Sequence, residues 1–370
     1  MNVAISAIRT KNIRINRHEL VTSLQDIGHD VYYVGQESKD ELHPDYEKYN
    51  VQFIPISIGR SNTNPLKEIH TIYKVSKALK KNKINTIIVY GIRTFPTMVI
   101  AAKLAGVDKV LCVVNGSGRL FELKGIKGLL VKLISYPMLF LAFSLSDSIL
   151  FQNKDDQNMI KRKGLLWKKN YSLVNGSGVN LQEYYPSKLE TRPVFIMISR
   201  LTGRKGINEY MEAARQVKKK YPRVEFYLVG PMDDDDDSID INRLQQLVNE
   251  NVINIKGKTN DVRSYIKKSR VFVLPSYYPE GIPRSILEAM AMGRPIITTD
   301  SPGCRETVIN GLNGFIVPPK DVDSLVEKMV WMIENESQVN KMGKLSRSIC
   351  EEKFNVHEIN KIMLHKLELL

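Results

Sequence analysis

The stretch Phe272–Pro319 reads FVLPSYYPEGIPRSILEAMAMGRPIITTDSPGCRETVINGLNGFIVPP. Val271–Leu274 is an apolar run rich in β-formers, and Pro275 stops it, which predicts a buried strand. A loop carrying Glu280-Gly281-Ile282 follows. Pro283 suits a first helical turn, so a helix is expected over Pro283–Met292, with a further strand at Pro295–Thr299. Strand, loop, helix and parallel strand make one βαβ unit. The free N–H groups at such a helix start can hold a phosphate, and Gly281 lets the backbone approach it closely. Glu288 lies further along the same helix. A carboxylate there can accept hydrogen bonds from vicinal sugar hydroxyls, as acidic residues do for ribose in dinucleotide folds.

Upstream, the strand Val194–Ser199 runs into Ser199-Arg200-Leu201 through Lys205-Gly206. Two cations just past a strand end, before a helix, can clamp a diphosphate and stabilise charge on a departing phosphate oxygen. Taken alone, each segment also fits a plainer reading, a capped amphipathic helix or a solvated basic turn.

The same alternation fills the chain. Strands are expected at Val3–Ser6, Val31–Val34, Val51–Ile56, Thr86–Tyr90, Val110–Val114 and Ser148–Gln152, with helical patterns such as Ile15–Ile27, Pro65–Lys81 and Phe95–Ala105 between them. The pattern restarts at Val194. The expected fold is α/β, with two doubly wound Rossmann-like domains facing a cleft and ligands at the carboxyl ends of the strands. The boundary is placed at Tyr184–Ser187, giving domains 1–185 and 186–355. A helical tail over 356–370 is expected to pack back on the first.

The 370 residues are 43% hydrophobic and 25% charged, which excludes global disorder and small disulfide scaffolds. Cys112, Cys304 and Cys350 form no CxxC pair, so a reducing intracellular setting is expected. No apolar signal segment opens the chain. Six dispersed histidines and a solvated run at Asp233–Asp237 offer no metal site, and no metal is expected. Net charge is +14, with +11 in residues 1–185 and +3 in 186–370. A basic first half suits an anionic partner or a merely lysine-rich surface. Within it, Gly128–Leu145 is apolar but interrupted by Lys132 and Pro137. It reads as a helix that is partly core and partly membrane-facing, with Arg119, Lys124, Lys127 and Lys132 beside it.

Four elements in order, SRLTGRKG (Ser199–Gly206), LVGP (Leu228–Pro231), INIKGKTNDV (Ile253–Val262) and PEGIPRSILEAMAMGRPII (Pro279–Ile297), resemble glycosyltransferase family 4 with the GT-B fold. The resemblance implies retaining transfer from a nucleotide-sugar, held by the second domain, to an acceptor on the first. Arg200 and Lys205 match the diphosphate clamp. Glu280 matches the carboxylate that contacts donor sugar hydroxyls, and Glu288 the one that contacts ribose. Gly281, Ile282, Pro283 and Gly230 match donor-binding positions. The first domain departs from the pattern, since Ala7–Asn12 lacks the usual glycines and Val113–Gly118 lacks a common histidine. Asn115 and Gly116 are therefore substrate contacts, because an amide is no base at neutral pH.

The VNGSG segment looks like the bacterial branch that extends polyprenyl-diphosphate-linked glycans for O antigen or capsule. That implies a UDP-sugar donor, transfer of a hexose or N-acetylhexosamine, and no cofactor. It also implies a cytoplasmic enzyme peripheral on the inner face of an anionic membrane. The alternatives are a soluble GT-B transferase on a small or protein acceptor and, remotely, a nucleic-acid-binding protein. No helix-turn-helix, RNP or finger pattern accompanies the charge, so no nucleic-acid partner is expected. A nicotinamide enzyme lacks its G-x-G-x-x-G.

Overall fold

The computed structural model describes all residues except 7–16, 36–44, 57–64, 119, 169 and 233–238. The chain divides into two units, Met1–Val174 with His357–Leu370, and Asn175–Val356.

In the first unit, strands β1 (Asn2–Ser6), β2 (Asp30–Gly35), β3 (Gln52–Pro55), β4 (Thr86–Tyr90), β5 (Lys109–Val114), β6 (Ser148–Phe151) and β7 (Tyr171–Leu173) form one sheet in the order β3-β2-β1-β4-β5-β6-β7. Every pairing is parallel. The helices are α1 (His18–Asp26), α2 (Asp45–Lys48), α3 (Pro65–Lys81), α4 (Phe95–Ala105), α5 (Gly125–Leu145), α6 (Lys154–Arg162) and the terminal α13 (Val356–Lys366). Strand side chains alternate between two faces. Ala4, Ile87 and Val89 pack with Val75 of α3, Phe95 of α4 and Phe143 of α5. Val3, Ile5 and Ile88 pack with Leu20 of α1 and with Ile359, Met363 and Leu364 of α13. Both faces are covered, as a parallel sheet requires.

The second unit repeats the design with β8 (Val194–Ile198), α7 (Ile207–Lys220), β9 (Glu225–Val229), α8 (Ile241–Asn249), β10 (Ile253–Gly257), α9 (Arg263–Lys267), β11 (Val271–Leu274), α10 (Arg284–Ala291), β12 (Ile296–Thr299), β13 (Gly314–Val317), α11 (Val322–Glu334) and α12 (Glu336–Lys353). The sheet order is β10-β9-β8-β11-β12-β13. Asp240 and Asp321 cap α8 and α11 by accepting from the N–H groups of Arg243 and Ser324.

Three expectations differ from the structure. The boundary lies before Asn175 rather than at 185, because residues 175–185 are bound into the second unit. The Val179 N–H donates to Phe354 O at 2.9 Å, and the Val356 N–H donates to Val179 O at 3.2 Å. Strand β7 is only three residues at a sheet edge, too short for periodicity to register. The apolar helix starts at Gly125 and runs through Pro137, and only Gly128, Leu139, Ala142 and Phe143 of it are buried.

Arg294 is completely buried in the second unit. Its guanidinium donates to the carbonyls of Ile266 (2.9 Å), Ser187 (2.8 Å), Met292 (3.0 Å) and Lys267 (3.1 Å), and to Ser187 Oγ (2.6 Å). Burial lowers its pKa to about 10, so it remains a cation at neutral pH. It ties the ends of α9 and α10 to the 187 segment. Ile266 O keeps the Ser269 N–H and hydroxyl and Met292 O keeps the Ser187 N–H, so Arg294→Met removes the donor chiefly from the Ser187 and Lys267 carbonyls, each costing about 1–3 kcal/mol. Urea unfolding should show a loss on the order of 3 kcal/mol for this unit, and a loss under ~1 kcal/mol would refute the anchoring role.

Candidate active site

Because the second sheet is all parallel, the loops after β8, β9, β11 and β12 leave it at one edge, where ligands bind in open α/β sheets. β11 is central: Phe272 lies opposite Ile196 of β8 on one side and Ile296 of β12 on the other.

The loop after β8 passes through Arg200, which is solvent-exposed, into a 3-10 turn at Gly203–Lys205. Gly206 follows with φ +83°, and a Cβ there would stand 2.2 Å from Pro275 O. Only glycine lets this turn press against the end of β11. The contact delivers Lys205 to Glu280: Nζ donates to Oε2 at 2.5 Å, with the side chains only 12% and 16% exposed. Ser276 Oγ donates to the other oxygen, Oε1, at 3.0 Å. The Tyr278 ring lies 5.6 Å from the Lys205 ammonium. Gly303, after β12 with φ +81°, closes on the same loop from behind, and a Cβ would fall 1.6 Å from Gly281 O.

Pro283 is the N-cap of α10, with Arg284 its first helical residue. No side chain caps α10, and of its first-turn amides that of Ile286 donates to Pro283 O at 3.1 Å, which leaves the Arg284 and Ser285 end of the turn as the place where a helix start can hold an anion. Ile282 is buried and packs on Gly176. Glu288, also buried, receives two donors on one oxygen, Tyr184 OH and Arg284 Nε, each 3.1 Å from Oε1. Burial raises the Glu288 pKa above the ordinary glutamate range, and Arg284 is the largest opposing influence. Burial and the neighbouring Glu288 together push the Tyr184 hydroxyl up.

Gly230 follows β9 with φ +141°, and a Cβ would meet Ser199 O at 1.7 Å. Its place is thus set by close backbone packing beneath the Arg200 loop. Lys205 and Glu280 meet directly, whereas Glu288 belongs to the separate Tyr184–Arg284 group. Asn115 and Gly116 lie in the other unit, just beyond the C-terminal end of β5, with Gly116 at φ +114°. The adjoining Ser117 is hydrogen-bonded to Asp156, whose buried carboxyl has a raised pKa through desolvation. Asp156 in turn accepts from Asn153 Nδ2 at 2.8 Å.

Sequence reading misses Ser276, Tyr184, Arg284 and Asp156. Arg284 stands four residues before Glu288 on the same helix, a spacing that could have singled it out, whereas Ser276 meets Glu280 within a loop that no periodicity describes. Tyr184 and Asp156 meet their partners across distances no local pattern encodes. Among the described residues no group of three or more His, Cys, Asp or Glu could hold a metal ion. The Asp233–Asp237 run and the Ala7–Asn12 loop lie outside the described residues, as does Arg119.

A basic turn and a carboxylate loop thus meet at the carboxyl edge of a doubly wound sheet, the edge at which open α/β folds bind ligands. Residues 185–348 match the family described as glycosyl transferases group 1, and residues 9–153 match glycosyl transferase 4-like. Together these account for most of both units, and the chain belongs to the family 4 glycosyltransferases. It is 25% identical over 334 residues, 86% of each chain, to an N,N'-diacetylbacillosaminyl-diphospho-undecaprenol alpha-1,3-N-acetylgalactosaminyltransferase of Campylobacter jejuni. It is 29% identical, over 80% of this chain and 78% of the relative, to an Escherichia coli UDP-Gal:alpha-D-GlcNAc-diphosphoundecaprenol alpha-1,3-galactosyltransferase. In fold it is similar to Anabaena Alr3699/HepE solved with UDP, at TM-score 0.79 with 18% identity over the whole of both chains. The fold class is thus that of the GT-B glycosyltransferases.

The Gly303 contact yields a test. Gly303→Ala must push the Glu280–Gly281 backbone away, and misplacing a reacting group by an ångström can cost about 100-fold. Sugar transfer should fall at least tenfold. Gly311→Ala, at φ +80° with nothing within 4 Å of its Cβ, carries only backbone strain and should keep near-normal transfer. Equal activity in the two variants would contradict the positioning role.

Proposed function

We propose that this protein is a retaining glycosyltransferase acting on a polyprenyl-diphosphate-linked glycan at the inner face of the cytoplasmic membrane. It takes a hexose or N-acetylhexosamine from a UDP-sugar in the synthesis of O antigen, capsule or a related surface polysaccharide. The carrying observation is the shielded contact of Lys205 with Glu280, set just before the open start of α10. The names of the two relatives, both acting on undecaprenyl-diphosphate-linked sugars, support the acceptor class.

On this reading the donor diphosphate lies against Arg200, Lys205 and the first amides of α10, over Gly281, Ile282 and Pro283. Glu280 accepts hydrogen bonds from donor sugar hydroxyls. Glu288 accepts from the ribose, with Tyr184 and Arg284 holding its Oε1. Asn115 and Gly116 are substrate contacts, as the family resemblance implies. The acceptor hydroxyl attacks the anomeric carbon on the face from which the diphosphate leaves. The bond from that carbon to the phosphate oxygen breaks, the new glycosidic bond forms, and the acceptor proton passes to the departing phosphate oxygen. Arg200 and Lys205 stabilise the charge developing there. These cations supply the role a divalent ion plays elsewhere, so a chelator should leave the rate unchanged.

Thermal unfolding with UDP tests the donor site. At about 100 times its dissociation constant, UDP should add roughly 2.7 kcal/mol, a shift of a few degrees. Glu288→Ala should abolish the shift, whereas Glu280→Ala should keep it and lose turnover. An unchanged shift in Glu288→Ala removes the ribose assignment. The bound form needs the Glu288 carboxylate, and acid protonates it. With its pKa raised, UDP affinity should begin to fall at a higher pH than an ordinary glutamate would dictate. Arg284→Gln removes the largest opposing influence and should move that fall to still higher pH. Titration calorimetry across pH reads both effects.

A further inference from the structure

Helix α5 is 21 residues long and apolar enough, by length and composition, to cross a membrane. Its pattern of exposure excludes ordinary core packing. Ile126, Leu129, Leu130, Leu133, Ile134 and Leu141 are all exposed, from 45% for Leu141 to 80% for Ile126. Their spacing of three and four residues places them on one helical face. Gly128, Leu139, Ala142 and Phe143 are the buried residues of the helix, and the Phe143 ring stands 5.7 Å from Phe95 of α4, edge-on. The helix is thus fastened to the unit along one side and presents leucine and isoleucine to water along the other. Monomeric soluble proteins seldom carry so continuous an apolar stripe.

A second apolar group stands close by. After α6 the chain reads Lys163-Gly164-Leu165-Leu166-Trp167-Lys168. Trp167 is 77% exposed, and Leu165 beside it is buried in the same core cluster as Phe143. The Lys163 ammonium lies 5.8 Å from the ring of Tyr136 on α5, which places the Trp167 segment alongside that helix. Cations are dense in this part of the sequence. Residues 119–170 hold ten Lys and Arg against four Asp and Glu, and α5 itself contains no acid. An apolar stripe with an exposed tryptophan, on a stretch whose Lys124, Lys127, Lys161, Arg162 and Lys168 are exposed, is complementary to anionic headgroups above an acyl interior.

We infer that α5 lies in the plane of an anionic bilayer, with its exposed stripe in the acyl boundary and Trp167 as an interfacial anchor. The inference deepens the proposed function, from which it takes only the membrane setting. α5 does not span, because its inner face is built into the sheet packing of the first unit and leaving it would strip Phe95 and Phe143 of their partners. Lys127, near the start of the helix, and Lys161, Arg162 and Lys168, on the neighbouring segment, reach the headgroups.

The protein has only two tryptophans, and Trp331 is half-buried against the Phe315 ring at 4.9 Å. In a Trp331→Phe background, Trp167 reports alone. Vesicles of phosphatidylethanolamine with phosphatidylglycerol should shift its emission to the blue. Lipids brominated near the headgroup should quench it more than lipids brominated near the chain end. Binding should weaken at least tenfold in neutral vesicles, or in Leu129→Glu/Leu133→Glu. Those two side chains are solvent-exposed, so the variant should fold normally by circular dichroism and keep its rate on a short-chain, water-soluble acceptor analogue. No blue shift, quenching that rises toward the chain end, or equal binding to neutral vesicles overturns the inference. So does sedimentation showing a dimer that the double variant dissociates, since the stripe then faces a second copy. Vesicle binding is measured without donor or acceptor. A wrong acceptor assignment therefore appears as binding without transfer to lipid-linked glycan, and a wrong docking surface as transfer without binding.

Discussion

A lysine ammonium 2.5 Å from a glutamate carboxylate, largely out of water, is the contact around which the strand-end loops of the second unit are arranged. Neither group could stand there alone, since an isolated buried charge is costly. Ser276 holds the second oxygen of Glu280, so the carboxylate stays fixed. Lys205 sits on a turn that Gly206 presses against Pro275, and Glu280 on a loop that Gly303 presses from the other side. The pair exists because two glycines permit backbone approaches that any side chain would block. Without a ligand the two charges neutralise each other. An anion beside Lys205 and hydroxyl groups beside Glu280 offer each a replacement partner without exposing it.

The elements of the fold were largely legible because the strands are buried on both faces and rich in Val and Ile, and the helices between them are amphipathic. Pro275 and Pro283 punctuate the central loop, which is why the strand–loop–helix unit around Glu280 reads clearly. Residue types also singled out Arg200 and Lys205 past one strand end, and Glu280 and Glu288 on the loop and helix after another, but only the family resemblance gave them donor-binding roles. What stayed hidden is tertiary. Tyr184 lies 104 positions from Glu288, in a segment that reads as a linker because it ends in Tyr-Tyr-Pro-Ser. The unit boundary was misplaced for the same reason: the pairing of Val179 with Asn355 joins chain segments that no local pattern relates. Lys132 and Pro137 already marked α5 as only partly core, but which of its residues are covered was not legible, because composition says nothing of what packs on each face.

On the proposed reading the two units answer different solvents. A nucleotide-sugar is polyanionic and dissolves in water, so its site needs fixed cations, amide donors and carboxylates shielded from competing water. A polyprenyl chain cannot leave the bilayer, since each buried CH₂ contributes about 0.8 kcal/mol and the chain holds many. On the proposed reading the enzyme must therefore come to its acceptor, and the charge asymmetry of the sequence acquires a physical meaning. The first half carries +11 and the second +3. An evenly basic protein would be drawn to anionic lipid by any face, whereas this distribution favours approach with the first unit foremost. Long-range attraction of this kind fades within about 10 Å at 0.1 M salt, so at a distance it only orients the encounter. Once the protein has arrived, retention combines burial of the α5 stripe with short-range contact of its flanking cations to anionic headgroups, and salt weakens only the second of these.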